Sequence, residues 1–362
     1  MTTVEEQLLP SAEPVCLIDQ NGVPHDHPSY RLPTKEALLD GYTQLIRGRR
    51  FNDQASALVR QGRLAVYPSS FGQEACQLAA TMVLRDGDWL FPTYRDTVSI
   101  MSRGVDPVET LTLLRGDWHC GYDPYEHKVA PQATPLATQL PHAVGVAHAA
   151  RLKGEDTVVM ALVGDGGTSE GDFHEALNFA AVFQAPVVFF IQNNEYAISV
   201  PLARQSAAPS LAHKGIGYGV PGERADGNDL AGLLAVLGQA VDKARAGEGP
   251  QLIEAHTYRV QAHTNADDAS RYREDAEVAP WLDRDPIERL TTYLEQQGWL
   301  DDDIRATAEA GAVEVAAQLR DGLMPEPSVD PADLFAHLYA SETQQLREQA
   351  AFLRDELARE EA

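Results

Sequence analysis

The chain has 362 residues and is 44% apolar, enough for one large α/β core or two smaller ones. Its net charge of −25, from 29 basic and 54 acidic residues, argues against nucleic acid and anionic membrane as partners, and poses a problem for holding any anionic cofactor. The three cysteines, Cys16, Cys76 and Cys120, show no disulfide framework or zinc spacing, and neither a leader pattern nor a membrane-length apolar run is visible, so a cytoplasmic protein is expected.

Residues 1–33 are polar and carry five prolines, which reads as an extended arm. Helices are expected over 34–60, with Thr34 as N-cap, and over 71–84. A strand and loop at 88–96 end in Tyr94-Arg95-Asp96. Residues 115–135 are irregular, include His119 and several prolines, and suit a functional loop. A helix at 136–153 leads into an almost unbroken apolar run, 157–163, expected to be a strand buried on both faces. A helix at 172–183 and a second buried strand at 187–191 follow. After residue 196 come a polar loop, a helix at 229–246 and a strand at 251–257. Residues 258–275 form a polar loop rich in Arg and Asp, with little apolar area to pin it, so ligand-dependent order and local ion pairing are expected. From Asp285 the chain is helical and acidic, with a break at 322–331. The domain reading is therefore an arm at 1–33, an α/β domain at 34–284 and a helical extension at 285–362.

The stretch 162–196 carries the chemistry. Strand, helix and strand make a right-handed crossover with parallel strands. If the two strands are neighbours, the Gly164-Asp165-Gly166-Gly167 turn and the Asn193-Asn194 pair converge at the carboxyl edge of the sheet, where open α/β sheets bind ligands. Asp165 offers a carboxylate and Asn194 an amide oxygen, donors that suit magnesium. Gly166 and Gly167 let the backbone approach a diphosphate without a Cβ. The spacing Gly-x-Gly-x-x-Gly of a nicotinamide site is not supplied here.

This Gly-Asp-Gly with a downstream Asn-Asn resembles the thiamine diphosphate fingerprint. From about residue 35 to 300 the chain resembles the alpha subunit of the thiamine diphosphate-dependent 2-oxoacid dehydrogenases, the decarboxylating component of the pyruvate and branched-chain complexes. The resemblance is carried by the fingerprint, by Tyr94-Arg95-Asp96, by Thr134-Pro135-Leu136-Ala137-Thr138-Gln139-Leu140-Pro141, and by Thr257 to Thr264 followed by Asp267-Asp268 and Arg271-Tyr272-Arg273. It implies a thiamine diphosphate-binding fold, a parallel sheet flanked by helices, with an N-terminal arm and a helical tail. It implies magnesium on Asp165, Asn194 and the backbone carbonyl of Tyr196. Tyr94 and Arg95 would contact the diphosphate, with Gly166, Gly167 and Gln192 beside them, and Thr134 and Leu136 would line the aminopyrimidine end. In some relatives Thr138 and Gln139 bind potassium. His263 resembles the active-site histidine on a mobile loop, suited to move a proton near neutral pH, and His119 is a second candidate.

The departures are Gln192, where some branched-chain members carry Arg, Gln261-Ala262 in the mobile loop, and Thr264, where animal enzymes carry a regulated serine. In this family the glutamate that activates the aminopyrimidine belongs to a beta subunit. The resemblance therefore implies half of a site, completed in an α2β2 assembly that acts on a small 2-oxoacid and passes the acyl group to a lipoyl acyltransferase core. The Pro135–Gln139 segment and the Asp267 to Arg273 spacing look nearest to branched-chain (3-methyl-2-oxobutanoate) enzymes, with pyruvate and acetoin dehydrogenase alpha subunits as alternatives. An inactive paralogue would be expected to lose Asp165, Asn194 or His263, and all three are present.

Overall fold

The computed structural model describes residues 8–117, 119–132, 134–325 and 330–360. Its centre is a five-stranded sheet of β1 (Trp89–Phe91), β2 (Val159–Gly164), β3 (Val187–Asn193), β4 (Gly222–Asp226) and β5 (Gln251–His256), in the order β1-β2-β3-β5-β4 and parallel throughout. The expected neighbours are neighbours: Val159 pairs with Val187, and Gly164 with Gln192. Both strands are buried on both faces because helices cover both.

On one face, helices Gln139–Lys153 and Gly171–Phe183 bury Leu140, Val144, Phe173 and Leu177 against Val159, Ala161, Val163, Phe189 and Ile191. The alternate residues Met160, Leu162, Val188 and Phe190 point the other way and are equally buried. On that side pack helix Leu230–Arg245 and, against it, helix Glu74–Met82. Helix Lys35–Arg60 starts at Thr34, whose side chain accepts from Ala37 N as expected of an N-cap.

β4 lies in the stretch read as a polar loop. Gly-Glu-Arg-Ala-Asp has neither an apolar run nor a buried alternation, and only Ala225 is buried, so pairing rather than composition makes it a strand. Each outer strand is closed by a single bridge. Val15 pairs beside Ala225, with Val15 N donating to Arg224 O and Asp226 N to Val15 O, both at 2.9 Å. Val129 pairs beside Leu90 in the same way. Exposed N–H and C=O rows are thereby covered at both edges.

The arm is held by more than this bridge. Asp229 caps helix Leu230–Arg245 through Ala231 N, and its other oxygen accepts from Leu17 N at 2.6 Å and Ile18 N at 3.0 Å. Leu17 and Ile18 are buried.

The chain divides into two compact units between Gly322 and Leu323. The first runs past the boundary expected at 284/285. Helices Pro286–Gln296 and Asp302–Gly322 belong to it, and the second buries Ala308, Ala312, Val315 and Leu319 where it runs along helix Lys35–Arg60. Small residues on that stripe let the two axes approach. The second unit, from Leu323, contains helices Asp333–Ala336 and Gln344–Glu360. Among the described residues no helix is long and apolar enough to cross a membrane.

Asp229→Ala is expected to cost about 2–4 kcal/mol, because it orphans two buried N–H groups and a helix cap. Urea denaturation should show that loss, hydrogen exchange should speed up at Val15–Ile18, and Asp229→Asn, which keeps an acceptor, should lose less.

Candidate active site

A cleft of about 480 Å³ opens at the carboxyl ends of β2 and β3. Of the residues singled out from the sequence, Tyr94, Arg95, Thr134, Leu136, Asp165, Gly166, Gly167, Gln192, Asn194, Tyr196 and His263 all line it. His119 is not among its lining residues. It is exposed, and its Nδ1 accepts from Gly121 N in a local turn, so the geometry gives it no place in the cleft.

Asp165 is 1% exposed and leaves β2 directly. One carboxylate oxygen, Oδ2, accepts from Gln205 Nε2 at 2.7 Å. The other, Oδ1, faces one end of the Asn194 carboxamide at 3.2 Å, and the same end lies 3.2 Å from the Tyr196 carbonyl oxygen. Between these two, Glu195 adopts φ 69°, a left-handed conformation that is unfavourable for a side chain of its kind. That turn brings the Asn194 side chain and the Tyr196 carbonyl to one point. Ala137 and Ile198, also with positive φ, line the same cleft. Burial pushes the Asp165 carboxyl above its ordinary value, and the Gln205 hydrogen bond pulls the other way.

The two glycines have a reason beyond ligand approach. A Cβ on Gly166 would stand 2.7 Å from Ala197 Cβ, and one on Gly167 2.6 Å from Val163 Cγ2. The turn must be this tight to pack on β2 and on the short hairpin after Tyr196.

Arg95 is buried. Its Nη1 donates to Ser69 O at 2.8 Å and its Nη2 reaches His263 Nδ1 at 3.1 Å and His263 O at 3.2 Å. Guanidinium can only donate, so Nδ1 is the acceptor and the neutral imidazole carries its proton on Nε2. The His263 ring also meets the edge of Tyr94, with centroids 6.1 Å apart. Burial, then the Arg95 and Arg259 charges, push the His263 pKa down to about 4.

Gln192 is oriented by a partner. Its Nε2 donates to Asp96 Oδ1 at 2.6 Å, and Asp96 also accepts from Thr93 N and Oγ1. One N–H of the amide is therefore taken, and Oε1 is buried with no hydrogen-bond partner.

The loop 258–275 is anchored by polar groups, not by the ion pairs expected. Arg259, 1% exposed, donates to the carbonyls of Tyr196 and Ile198 and to Tyr272 Oη. Arg273 donates to the carbonyls of Arg259, Val260 and Gln261. Asp267 accepts from His263 N at 2.8 Å. Sequence reading missed Gln205, Asp96 and Gln73, which fix the visible candidates. Only Asp96, adjoining Tyr94-Arg95, carried any signal.

These features define an α/β protein with a polar cleft at the carboxyl edge of a parallel sheet, lined by the buried Asp165 carboxylate and the buried Arg95 guanidinium. The family sequence model described as "Dehydrogenase E1 component" matches residues 43–321. The Mycobacterium tuberculosis protein named 3-methyl-2-oxobutanoate dehydrogenase subunit alpha is 46% identical over 348 residues, covering 96% of this chain and 95% of that protein. The pyruvate dehydrogenase E1 component subunit alpha of Acholeplasma laidlawii is 38% identical, covering 91% and 96%, and that of Staphylococcus aureus 37%, covering 93% and 91%. The chain belongs to the dehydrogenase E1 component family, as an alpha subunit of a 2-oxoacid dehydrogenase. Membership implies thiamine diphosphate as cofactor and a place in a larger complex.

The depressed His263 pKa has a pH consequence. The unfolded histidine takes a proton near its ordinary value of about 6.5, whereas the folded one stays neutral to about 4. Stability from this site is therefore complete above the unfolded value and is lost as pH falls through the folded one. Urea midpoints measured from about pH 7 down to about pH 5 should fall more steeply for the wild type than for His263→Asn.

Proposed function

We propose that this chain is the alpha subunit of the decarboxylating component of a branched-chain 2-oxoacid dehydrogenase, acting on 3-methyl-2-oxobutanoate and its relatives. The observation that carries the reading is the convergence of Asp165, Asn194 and the Tyr196 carbonyl on one point of the cleft. Higher identity to the branched-chain relative than to the pyruvate relatives supports the substrate.

The donor set fits magnesium. One carboxylate, one amide oxygen and one carbonyl oxygen are hard oxygen donors of the kind magnesium takes, with the amide end 3.2 Å from each of the other two. A cation there would also favour the ionised form of Asp165 against the burial that raises its pKa. Among the described residues no cluster of three or more His, Cys, Asp or Glu competes for a metal. Potassium at the Thr138–Gln139 segment is not part of this reading; Gln139 Nε2 donates to Leu162 O at 2.7 Å.

When bound, thiamine diphosphate supplies the carbanion that adds to a 2-oxo carbon and the electron sink for loss of carbon dioxide. The chain's own residues do the rest of its half. Asp165, Asn194 and Tyr196 hold the cation, and Arg95 brings fixed positive charge to the diphosphate end. His263, neutral with its proton on Nε2, is a hydrogen-bond donor toward the cofactor. Thr134 and Leu136 line the far end of the cofactor.

The cleft is half of a site. Leu136 is 42% and Ile198 55% exposed at its rim, apolar surface suited to a covering subunit. Of the lining carboxylates, Asp96 is fully engaged, Asp165 is the cation ligand, and Glu170 ends the turn that begins at Asp165. Glu170 carries an exposed carboxylate with no assigned partner, and it is the family resemblance that gives the aminopyrimidine's glutamate to a beta subunit, with the acyl group passing to a lipoyl acyltransferase in an α2β2-based, cytoplasmic complex.

The chain assembled with its beta subunit should show a higher kcat/KM for 3-methyl-2-oxobutanoate than for pyruvate, and no decarboxylation should be measurable without that partner. The reverse preference, or activity of the chain alone, would overturn the substrate or the half-site reading. Asp165→Asn should weaken magnesium-dependent thiamine diphosphate binding by at least about a hundredfold, more than loss of an outer-shell partner costs. Calorimetric titration of the assembled complex checks it.

A further inference from the structure

Gln73 is a buried residue in the cleft wall with no assigned task. It occupies the N-cap position of helix Glu74–Met82, yet its side chain makes no capping hydrogen bond. Glutamine is a poor cap. The neighbouring Glu74 carboxylate instead accepts from Gly72 N at 2.8 Å and pairs with Arg49. The Gln73 side chain is turned into the cleft, where its Nε2 lies 3.0 Å from one end of the Asn194 carboxamide, the end away from Asp165 and Tyr196.

The Asn194 carboxamide has two ways to lie in this frame. With its nitrogen toward Asp165 Oδ1 and Tyr196 O, its oxygen accepts from Gln73 Nε2, and all three contacts are hydrogen bonds. With its oxygen toward them, it gains only a long contact of 3.4 Å from Tyr196 N, and three oxygens face one another. A cation makes that second arrangement favourable. The Asn194 nitrogen then points at Gln73, whose own nitrogen opposes it. A half-turn of the Gln73 carboxamide puts Oε1 in that place without needing new space.

Resting on the cation reading of the cleft, we propose that Gln73 is the positioning residue for Asn194, and that the two carboxamides turn over together when the cation binds. Without the cation, Gln73 donates and Asn194 closes the empty site with its nitrogen. With it, Gln73 accepts and holds the Asn194 oxygen on the metal. Only a side chain that carries a donor and an acceptor at the same end serves both states. Cation affinity is thereby set lower than the ligand set alone gives, because binding must undo the closed arrangement.

The test uses the full chain assembled with its beta subunit in the presence of thiamine diphosphate. Mn²⁺ binding is followed by electron paramagnetic resonance, and cation-free melting is recorded in parallel. Gln73→Glu can only accept. It should bind Mn²⁺ about tenfold more tightly, as a charge-assisted bond to the Asn194 nitrogen allows. It should also melt several degrees below the wild type without cation and recover with saturating Mn²⁺. The tightening should persist from about 0.05 to about 0.5 M salt, since a direct bond is screened far less than a long-range charge. Gln73→Met keeps the volume and supplies neither partner. It should bind Mn²⁺ more weakly than the wild type, because an orphaned buried N–H is tolerated less well than an orphaned oxygen. Unchanged or weaker Mn²⁺ binding by Gln73→Glu, tightening that vanishes at high salt, or unchanged binding by Gln73→Met would each overturn the proposal. Asp165→Asn run alongside separates the two levels. If it binds Mn²⁺ as the wild type does, the cation site itself is wrong. If it loses Mn²⁺ while the Gln73 variants do not respond, only the coupled turn fails.

Discussion

Taking the Asp165 carboxylate out of water is the constraint around which the cleft is organised. A buried, unpaired carboxylate is costly, and burial here raises its pKa. The groups within reach are arranged around its two oxygens. Gln205 satisfies one, and the left-handed turn at Glu195 brings the Asn194 carboxamide to the other, with the Tyr196 carbonyl beside it, where the proposed cation would sit. The parallel register of β2 and β3 puts these parts within reach at all, since Gly164 and Gln192 are paired residues. A one-residue slip of β3 would carry Asn194 away from Asp165 and reverse the facing of that strand.

A second principle is that positive charge in the cleft is held by neutral acceptors. Arg95, Arg259 and Arg273 donate mainly to carbonyls, an imidazole and a phenol. A guanidinium bound in this way is fixed in place but not neutralised. In a chain of net charge −25 that matters, because each unneutralised cation near the cleft is available to an anionic ligand. Burial first, and then these charges of Arg95 and Arg259, oppose protonation of His263.

The buried strands, the crossover and the fingerprint were legible in the sequence because they depend on local pattern. Residues 157–163 and 187–191 are apolar runs with room for nothing else, and the Gly-Asp-Gly and Asn-Asn ends fall where such strands stop. β4 was not legible, since Gly222–Asp226 owes its conformation to the pairing of β5 on one side and Val15 on the other. The supporting amides Gln73 and Gln205 were opaque for a related reason. An amide side chain takes its role from whichever donor or acceptor the fold brings to it, and nothing in its own sequence neighbourhood says which. The loop 258–275 was read for its charges, but its anchors are backbone carbonyls, which every sequence has and none advertises.

The bond between Leu17 N and Asp229 joins residues 212 positions apart, and the bridge of Val15 to β4 spans almost as much chain. During synthesis the arm leaves the ribosome first and must wait for its receptor. At about 5–20 residues per second, that wait is about 10–40 seconds. Throughout it, the segment around Val15-Cys16-Leu17-Ile18, buried in the finished fold apart from a half-covered Cys16, has nowhere native to go. The polar, proline-rich character of its flanks then acquires a use that the folded state does not reveal. It keeps a short sticky segment from finding another nascent chain before its own sheet edge exists.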